Sequence, residues 1–412
     1  MNRFQKAFRA TMIDSGFGYA SQALSFFSLP LFLATLGAEG YGLMVTVLAF
    51  TGYLNFADAG LSWGSMVLIA HAHGQQDKDR IAHITRHSAV LAAGSGLVAL
   101  LFLGAVLGAS ALGRRLPMFA RHPEADPLIL IAGCQLILTL QFGVFFNVFK
   151  GLQETYWTAF YQGLGRLLGL GASMAAAWMT RSVEVVMMVQ LAFSTAAGIA
   201  ASIHVWKRHR WAFRKGSWTD WGQYNLQIRV GGKNFLIQIG QTLANTAPTF
   251  AISSILGPAS VPLYTVPVTL LSLFLTPINS WTSSMQNAFG EAWSSGASEW
   301  TRNAFRKTVE QILLISALGT SLFLLCSGSF IQIWTHGRLS LVPWMGLSVA
   351  AFVVTNTLVK AAEYLLIGLN RHRNAAMAEI ANGVIAMALV PISVRWLGLG
   401  AVGVGSMAPC TR

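Results

Sequence analysis

The chain has 412 residues, 54% of them hydrophobic and only 10% charged, with a mean hydropathy of +0.54. A water-soluble chain carries about a quarter charged residues, so this composition excludes a soluble globular protein. The formal charge of +13 does not point to nucleic acid, because Lys and Arg accumulate in the cytoplasmic loops of multi-pass membrane proteins.

The apolar residues gather in windows of roughly 20, the length that crosses a ~30 Å hydrocarbon layer as a helix. The predicted spans are 11–36, 42–72, 88–112, 128–149, 157–179, 184–206, 229–256, 262–289, 308–333, 341–367 and 375–397. The opening "MNRFQKAFRA" is basic, but the apolar segment after it is too long and too polar for a cleavable signal core.

The first span carries Asp14, Gly18, Ser21, Ser25 and Ser28, spaced four, three, four, three. The second repeats that spacing with Thr51, Asn55, Asp58, Ser62 and Ser65, which on one helix is a single polar face. Polar side chains avoid lipid, so each stripe faces protein or water. It is either hydrogen-bonding glue between packed helices or the wall of a cavity. Asp58 then either carries a coupling proton or ion, or is satisfied by Asn55, Ser62 or an arginine. "HITRH" at 83–87 has two histidines four apart, but Ile84 stands where a zinc hydrolase has its glutamate. We read it as a solvated loop helix.

The fifth span, "WTAFYQGLGRLLGLGASMAAAW", has Trp157 and Trp178 at its two ends and Arg166 near its middle. A midplane charge costs at least ~2.5 kcal/mol on insertion scales. Arg166 is therefore an anion contact on a transport path, or the partner of Asp58 or another acid. The basic, Trp-bearing stretch 207–228 is the longest polar segment and divides two expected lobes, 1–206 and 229–412. In the second lobe, span seven has Gln238, Thr242, Asn245 and Thr249, and span eight has Thr276, Ser280, Ser283 and Asn287. Four stripes at matching places favour one shared central cavity. Lys360 has Glu363 three residues on, the spacing of a local ion pair. The tail after residue 397 starts like a twelfth helix and is too short to span, so that helix is expected to be truncated.

Two features relate the halves. "LGAEGYGLMVTVL" (36–48) and "LGPASVPLYTVPVTL" (256–270) each begin with Leu-Gly after a span and bring a tyrosine into the next. With the N-terminus cytoplasmic, 20 basic residues fall inside, six outside and two, Arg166 and Lys360, within spans, a strong positive-inside bias. No Walker A loop is present: "GGK" at 231–233 is followed by Asn234 and lacks the upstream glycine. Cys134, Cys326 and Cys410 form no pair motif. No cofactor, metal site or enzymatic constellation is expected.

Four segments carry a family resemblance: "PLFLATLGAEGYGLMVTVLAFTGYLNFADAGL" (30–61), "FKGLQETYWTAF" (149–160), "EYLLIGLNRHRNAAMAEIANGV" (363–384) and "WLGLGAVGVGSM" (396–407). In these the chain resembles the Wzx-like polysaccharide-lipid flippases of the multidrug/oligosaccharidyl-lipid/polysaccharide exporter superfamily. The resemblance implies an all-α polytopic membrane protein with two lobes of about six helices around a central cavity, in the bacterial inner membrane. It also implies the substrate, an undecaprenyl-pyrophosphate-linked oligosaccharide moved to the outer leaflet for surface polysaccharide such as O-antigen or exopolysaccharide. The polysaccharide polymerase machinery is a partner it suggests. The family supplies no strict motif, so Arg166 and Lys360 are taken as pyrophosphate contacts on depth and charge alone. Asp14, Asn55, Asp58, Ser62, Gln238, Thr242, Asn245, Ser280, Ser283 and Asn287 are taken as cavity lining or as sites for a coupling proton or sodium ion. The competing readings are a cation-coupled drug exporter of the same fold, a membrane-embedded glycosyl ligase or polymerase, and a non-transporting scaffold.

Overall fold

The computed structural model describes residues 3–113, 119, 122–214, 220–294, 298–339, 343–369 and 371–396. Among the described residues every regular element is helical, with eleven α-helices, three short 3-10 turns and no strand. Composition dictates this, because hydrocarbon offers no water to pair an open N–H or C=O, and a spanning segment must close its own hydrogen bonds. Six of the described helices are long and apolar enough to cross a membrane, and the chain is a multi-pass membrane protein.

Helix α1 (Arg3–Gly52) joins two helical segments across Gly37, whose φ of 75° and ψ of 172° break the winding. A 3-10 turn (Tyr53–Asp58) comes next, then two left-handed residues, Ala59 (φ 47°) and Gly60 (φ 73°), then α2 (Leu61–Gly74). The single continuous helix expected over 42–72 is therefore corrected. A 3-10 turn winds more tightly than an α-helix, and two left-handed residues reset the phase, so Thr51 and Ser65 do not lie on one uninterrupted face. Two observations account for the break. The Asp58 carboxylate accepts the Ser62 Oγ–H (2.7 Å) and its backbone N–H (3.3 Å), starting α2. Gly60 meets the backbone of Gly231 so closely that a Cβ on either residue would collide with the other's carbonyl.

The chain forms two compact units, residues 1–36 with 50–235 and residues 37–49 with 236–412. Against the expected lobes 1–206 and 229–412, the first unit takes in the linker and the second takes in the segment after Gly37. In the first unit, α5 (Thr155–Thr180) packs along α6 (Val183–Arg208). The helix α4 (Ala125–Gly151) packs on both α6 and α3 (Lys78–Ala111), and α2 lies against α3 and α4.

The basic linker is docked on this unit. Ala212 is buried with Ile69, Ile84, Phe149 and Val205, and Trp211 and Phe213 pack around them. Arg86 Nη2 donates to the Arg214 carbonyl (2.8 Å), and Gln227 Nε2 donates to the Ile84 carbonyl (3.0 Å). Glu154, in the turn before α5, is only 7% exposed and accepts from Arg208 Nη2 (3.2 Å) and His209 Nε2–H (3.0 Å). Burial alone would raise this carboxyl, but the hydrogen bonds and charges of His209 and Arg208 outweigh it and hold it at about 2. A depressed carboxyl stabilises the fold above its ordinary value of 4.5 and loses that contribution as pH falls toward about 2. Glu154→Gln is therefore expected to cost on the order of 2 kcal/mol at pH 7, discounted for the half-exposed Arg208. Melting curves of the detergent-solubilised protein should show the gap between wild type and variant closing between pH 4.5 and 2.

The second unit holds the later part of α7 (Trp221–Leu256), then α8 (Val261–Ser294), α9 (Ser298–Trp334), α10 (Pro343–Gly368) and α11 (His372–Trp396). The helix α10 packs against α8, α9 and α11. Ile237 of α7 is buried with Ala375 and Ala376 of α11, and Leu366 and Ile367 cover them. The stretch read as a truncated twelfth helix lies outside the described residues.

Candidate functional site

Helical spacing brings a polar column together in the second unit. Asn356, Lys360 and Glu363 share one face of α10, Glu379 and Asn382 one face of α11, and Gln241 and Asn245 one face of α7. The contacts follow that geometry. Asn382 Nδ2 donates to Asn356 Oδ1 (3.0 Å) and Gln241 Nε2 to Glu363 Oε1 (2.7 Å). Lys360 Nζ lies 2.8 Å from Glu363 Oε2 and 3.4 Å from Glu379 Oε1. Glu363 is 2% exposed and Glu379 fully buried, and neither oxygen of Glu379 accepts a hydrogen bond among the described residues. Fully ionised, the cluster would hold one half-buried cation against two buried anions. Burial of an unbalanced charge is strongly unfavourable, and here two carboxylates compete for one ammonium.

Next to this column is a cavity of about 370 Å³, whose walls come from the segment after Gly37 and from α7, α8 and α10. Tyr41, Asn245, Thr249, Tyr264, Thr265 and Asn356 supply its polar wall. Phe352 adds an aromatic face, its ring centroid 6.4 Å from that of Tyr264. Among the described residues, no charged side chain lines it.

In the first unit the candidate residues have mainly local partners. Asp58 is held by Ser62, Asn55 Nδ2 donates to the Gly52 carbonyl (2.9 Å), and the charges of Asp14 and Lys150 interact. Arg166 differs. It is exposed on α5 and makes no hydrogen bond or ion pair among the described residues. Gln162, one turn earlier, is exposed on the same side, while exposed Leu168 lies roughly 160° around the helix at 100° per residue. The guanidinium thus stands beside Gln162, on the side of α5 away from Leu168.

Of the second-lobe residues expected to line a shared central cavity, Asn245 lies in the wall of this second-unit cavity. Thr242 is half-buried, its carbonyl accepting from Thr246 Oγ1 (2.6 Å), and Gln238 is half-buried and has a partner. The side chains of Ser280, Ser283 and Asn287 lie outside the described residues. Sequence reasoning missed Tyr41, Tyr264, Asn356, Gln241 and Glu379 as site residues. The two tyrosines had a signal, since each is the Tyr that comes after the Leu-Gly of one half.

A family model described as "Polysaccharide biosynthesis protein" matches residues 9–285. No curated protein sequence matches significantly. Several solved structures share the fold. A MOP superfamily transporter from Pyrococcus furiosus, described as having a binding pocket of reverse polarity that suggests a different function, matches with a TM-score of 0.55 at 18% identity, over 98% of this chain and 92% of that one. An outward-facing multidrug resistance MATE family transporter matches with a TM-score of 0.53 at 15% identity, over 99% and 90%. A MATE in the straight conformation matches with a TM-score of 0.53 at 14% identity, over 97% and 98%.

Proposed function

The chain belongs to the polysaccharide biosynthesis protein family, and from that premise we propose that it carries an undecaprenyl-pyrophosphate-linked oligosaccharide from the inner to the outer leaflet of the bacterial cytoplasmic membrane. Family and fold are those of membrane transporters rather than enzymes. The observation that supports the lipid-linked substrate is Arg166, a guanidinium in the middle of α5, which we read as crossing the membrane, with no acidic partner among the described residues. An uncompensated cation at that depth is costly, and a pyrophosphate supplies the counter-charge together with oxygens that suit a bidentate fork. Lys360 fits this role less well, because its ammonium already faces Glu363 and Glu379. We assign it instead to a coupling site, in which a proton taken up and released by the two carboxylates is the transported ion. The charge bias supports a cytoplasmic N-terminus.

The surplus of buried carboxylates also supports a second reading, proton-coupled export of a drug. A null strain separates the two. For the flippase, surface glycan is lost and the glycan-loaded undecaprenyl pyrophosphate accumulates on the cytoplasmic leaflet. Normal surface glycan with raised drug sensitivity would move the assignment to drug export.

A further inference from the structure

We propose that the cavity of the second unit is a subsite for a neutral sugar of the transported glycan, an inference that rests on the transport reading above. Size, lining and charge each bear on it. At about 370 Å³ the cavity is at the small end of the ~300–1,000 Å³ range of small-molecule sites, room for one or two pyranose rings and not for a long chain.

The wall matches sugar chemistry. A sugar hydroxyl both donates and accepts, and amides, phenols and threonine hydroxyls answer in both directions. Thr357 donates to its own helix carbonyl, of Val353 (2.9 Å), which leaves its lone pairs as acceptors, and Thr265 is hydrogen-bonded to the Tyr41 phenol beside it. Asn356 gives its carbonyl to Asn382 and keeps its amide hydrogens for a ligand. Asn245 is exposed, and its amide offers both functions. The Phe352 and Tyr264 rings provide apolar faces against which the C–H side of a pyranose packs. A uronic acid, a pyrophosphate or a cationic drug would lose its hydration here and meet no counter-charge among the described residues of the wall. The ligand class is therefore neutral. It follows that the two ends of the substrate are read in different places, the anion at Arg166 and a sugar here.

The test uses the full chain in lipid nanodiscs, with the neutral disaccharide chitobiose, glucuronate and inorganic pyrophosphate as probes in equilibrium binding. Tyr264→Phe removes one hydroxyl without changing shape, and Asn245→Leu removes an exposed amide, so both variants should fold. Chitobiose is expected to bind the wild type at least tenfold tighter than glucuronate, and to bind each variant at least fivefold more weakly. Pyrophosphate binding should be unchanged in both variants and lost in Arg166→Gln. Absent chitobiose binding, wild-type affinity in either variant, or equal affinity for glucuronate would each overturn the subsite. The transport reading fails separately. If chitobiose shows the expected dependence while the null strain exports its glycan normally, the sugar site stands and the flippase assignment falls.

Discussion

Arg166→Ala is expected to stop glycan export while the protein still inserts and accumulates. Removing a charge from the middle of α5 spares the insertion machinery at least ~2.5 kcal/mol, so membrane levels should hold or rise. Export should fall because a hydrogen bond to a charged group contributes about 1.5–3 kcal/mol, and a bidentate contact to pyrophosphate has two of them. A drop of roughly 10- to 100-fold or more is expected. Lysine should restore part of the activity, since it keeps the charge and loses the fork, and glutamine should restore none. The competing account pairs Arg166 with Asp58, and under it the double alanine variant would regain export. The Asp58 carboxylate is already held by the Ser62 hydroxyl and N–H, so no rescue is expected. Surface glycan in a flippase-null strain, at matched membrane levels of each variant, is the measurement. Normal export by Arg166→Ala would remove the anion contact from this helix.

The helical, multi-pass character was legible in the sequence because it follows from hydropathy, and the place of Arg166 in the middle of a helix followed from the apolar span read over 157–179. The break in the second span was not legible. Periodicity assumes one winding from Thr51 to Ser65, whereas a backbone contact 171 residues away in sequence, between Gly60 and Gly231, shapes the chain there. The spacing of the serines and threonines carries no record of that contact. The buried cluster was half legible. Lys360 and Glu363 share a helix and announce their pairing at i,i+3, but Glu379 joins them from α11 and Gln241 from α7. Only tertiary packing brings those two in, and it changes the sense of the lysine from one half of a local pair to one of three neighbouring charges. The cavity was signalled indirectly. Tyr41 and Tyr264 stood out as the matching tyrosines of two related segments, and the structure sets both in the same wall.

Two substitutions in that cluster should have opposite effects. Lys360→Met leaves Glu363 and Glu379 buried without their cation, and removing one member of a buried ion cluster costs about 3–5 kcal/mol. The detergent-solubilised protein should melt well below wild type, or fail to accumulate. Glu379→Gln acts the other way. It leaves one lysine facing one glutamate, with Gln241 still donating to Glu363, and the charges balance. Stability should therefore be kept or slightly raised. Transport, however, should lose its response to an imposed proton gradient, because no carboxylate pair remains to take up and release the ion. The decisive measurements are melting temperature and gradient-driven uptake of lipid-linked glycan into vesicles holding equal amounts of each protein. The other groups near the carboxylates are the phenol of Tyr364 and the amides of Gln241 and Asn382. The amides do not titrate, so loss of the gradient response in Glu379→Gln is the outcome that assigns the ion to the acidic pair. A Glu379→Gln protein as unstable as Lys360→Met would mean that both carboxylates are needed ionised. The coupling proton would then have to be sought elsewhere, first at Asp14 beside Lys150.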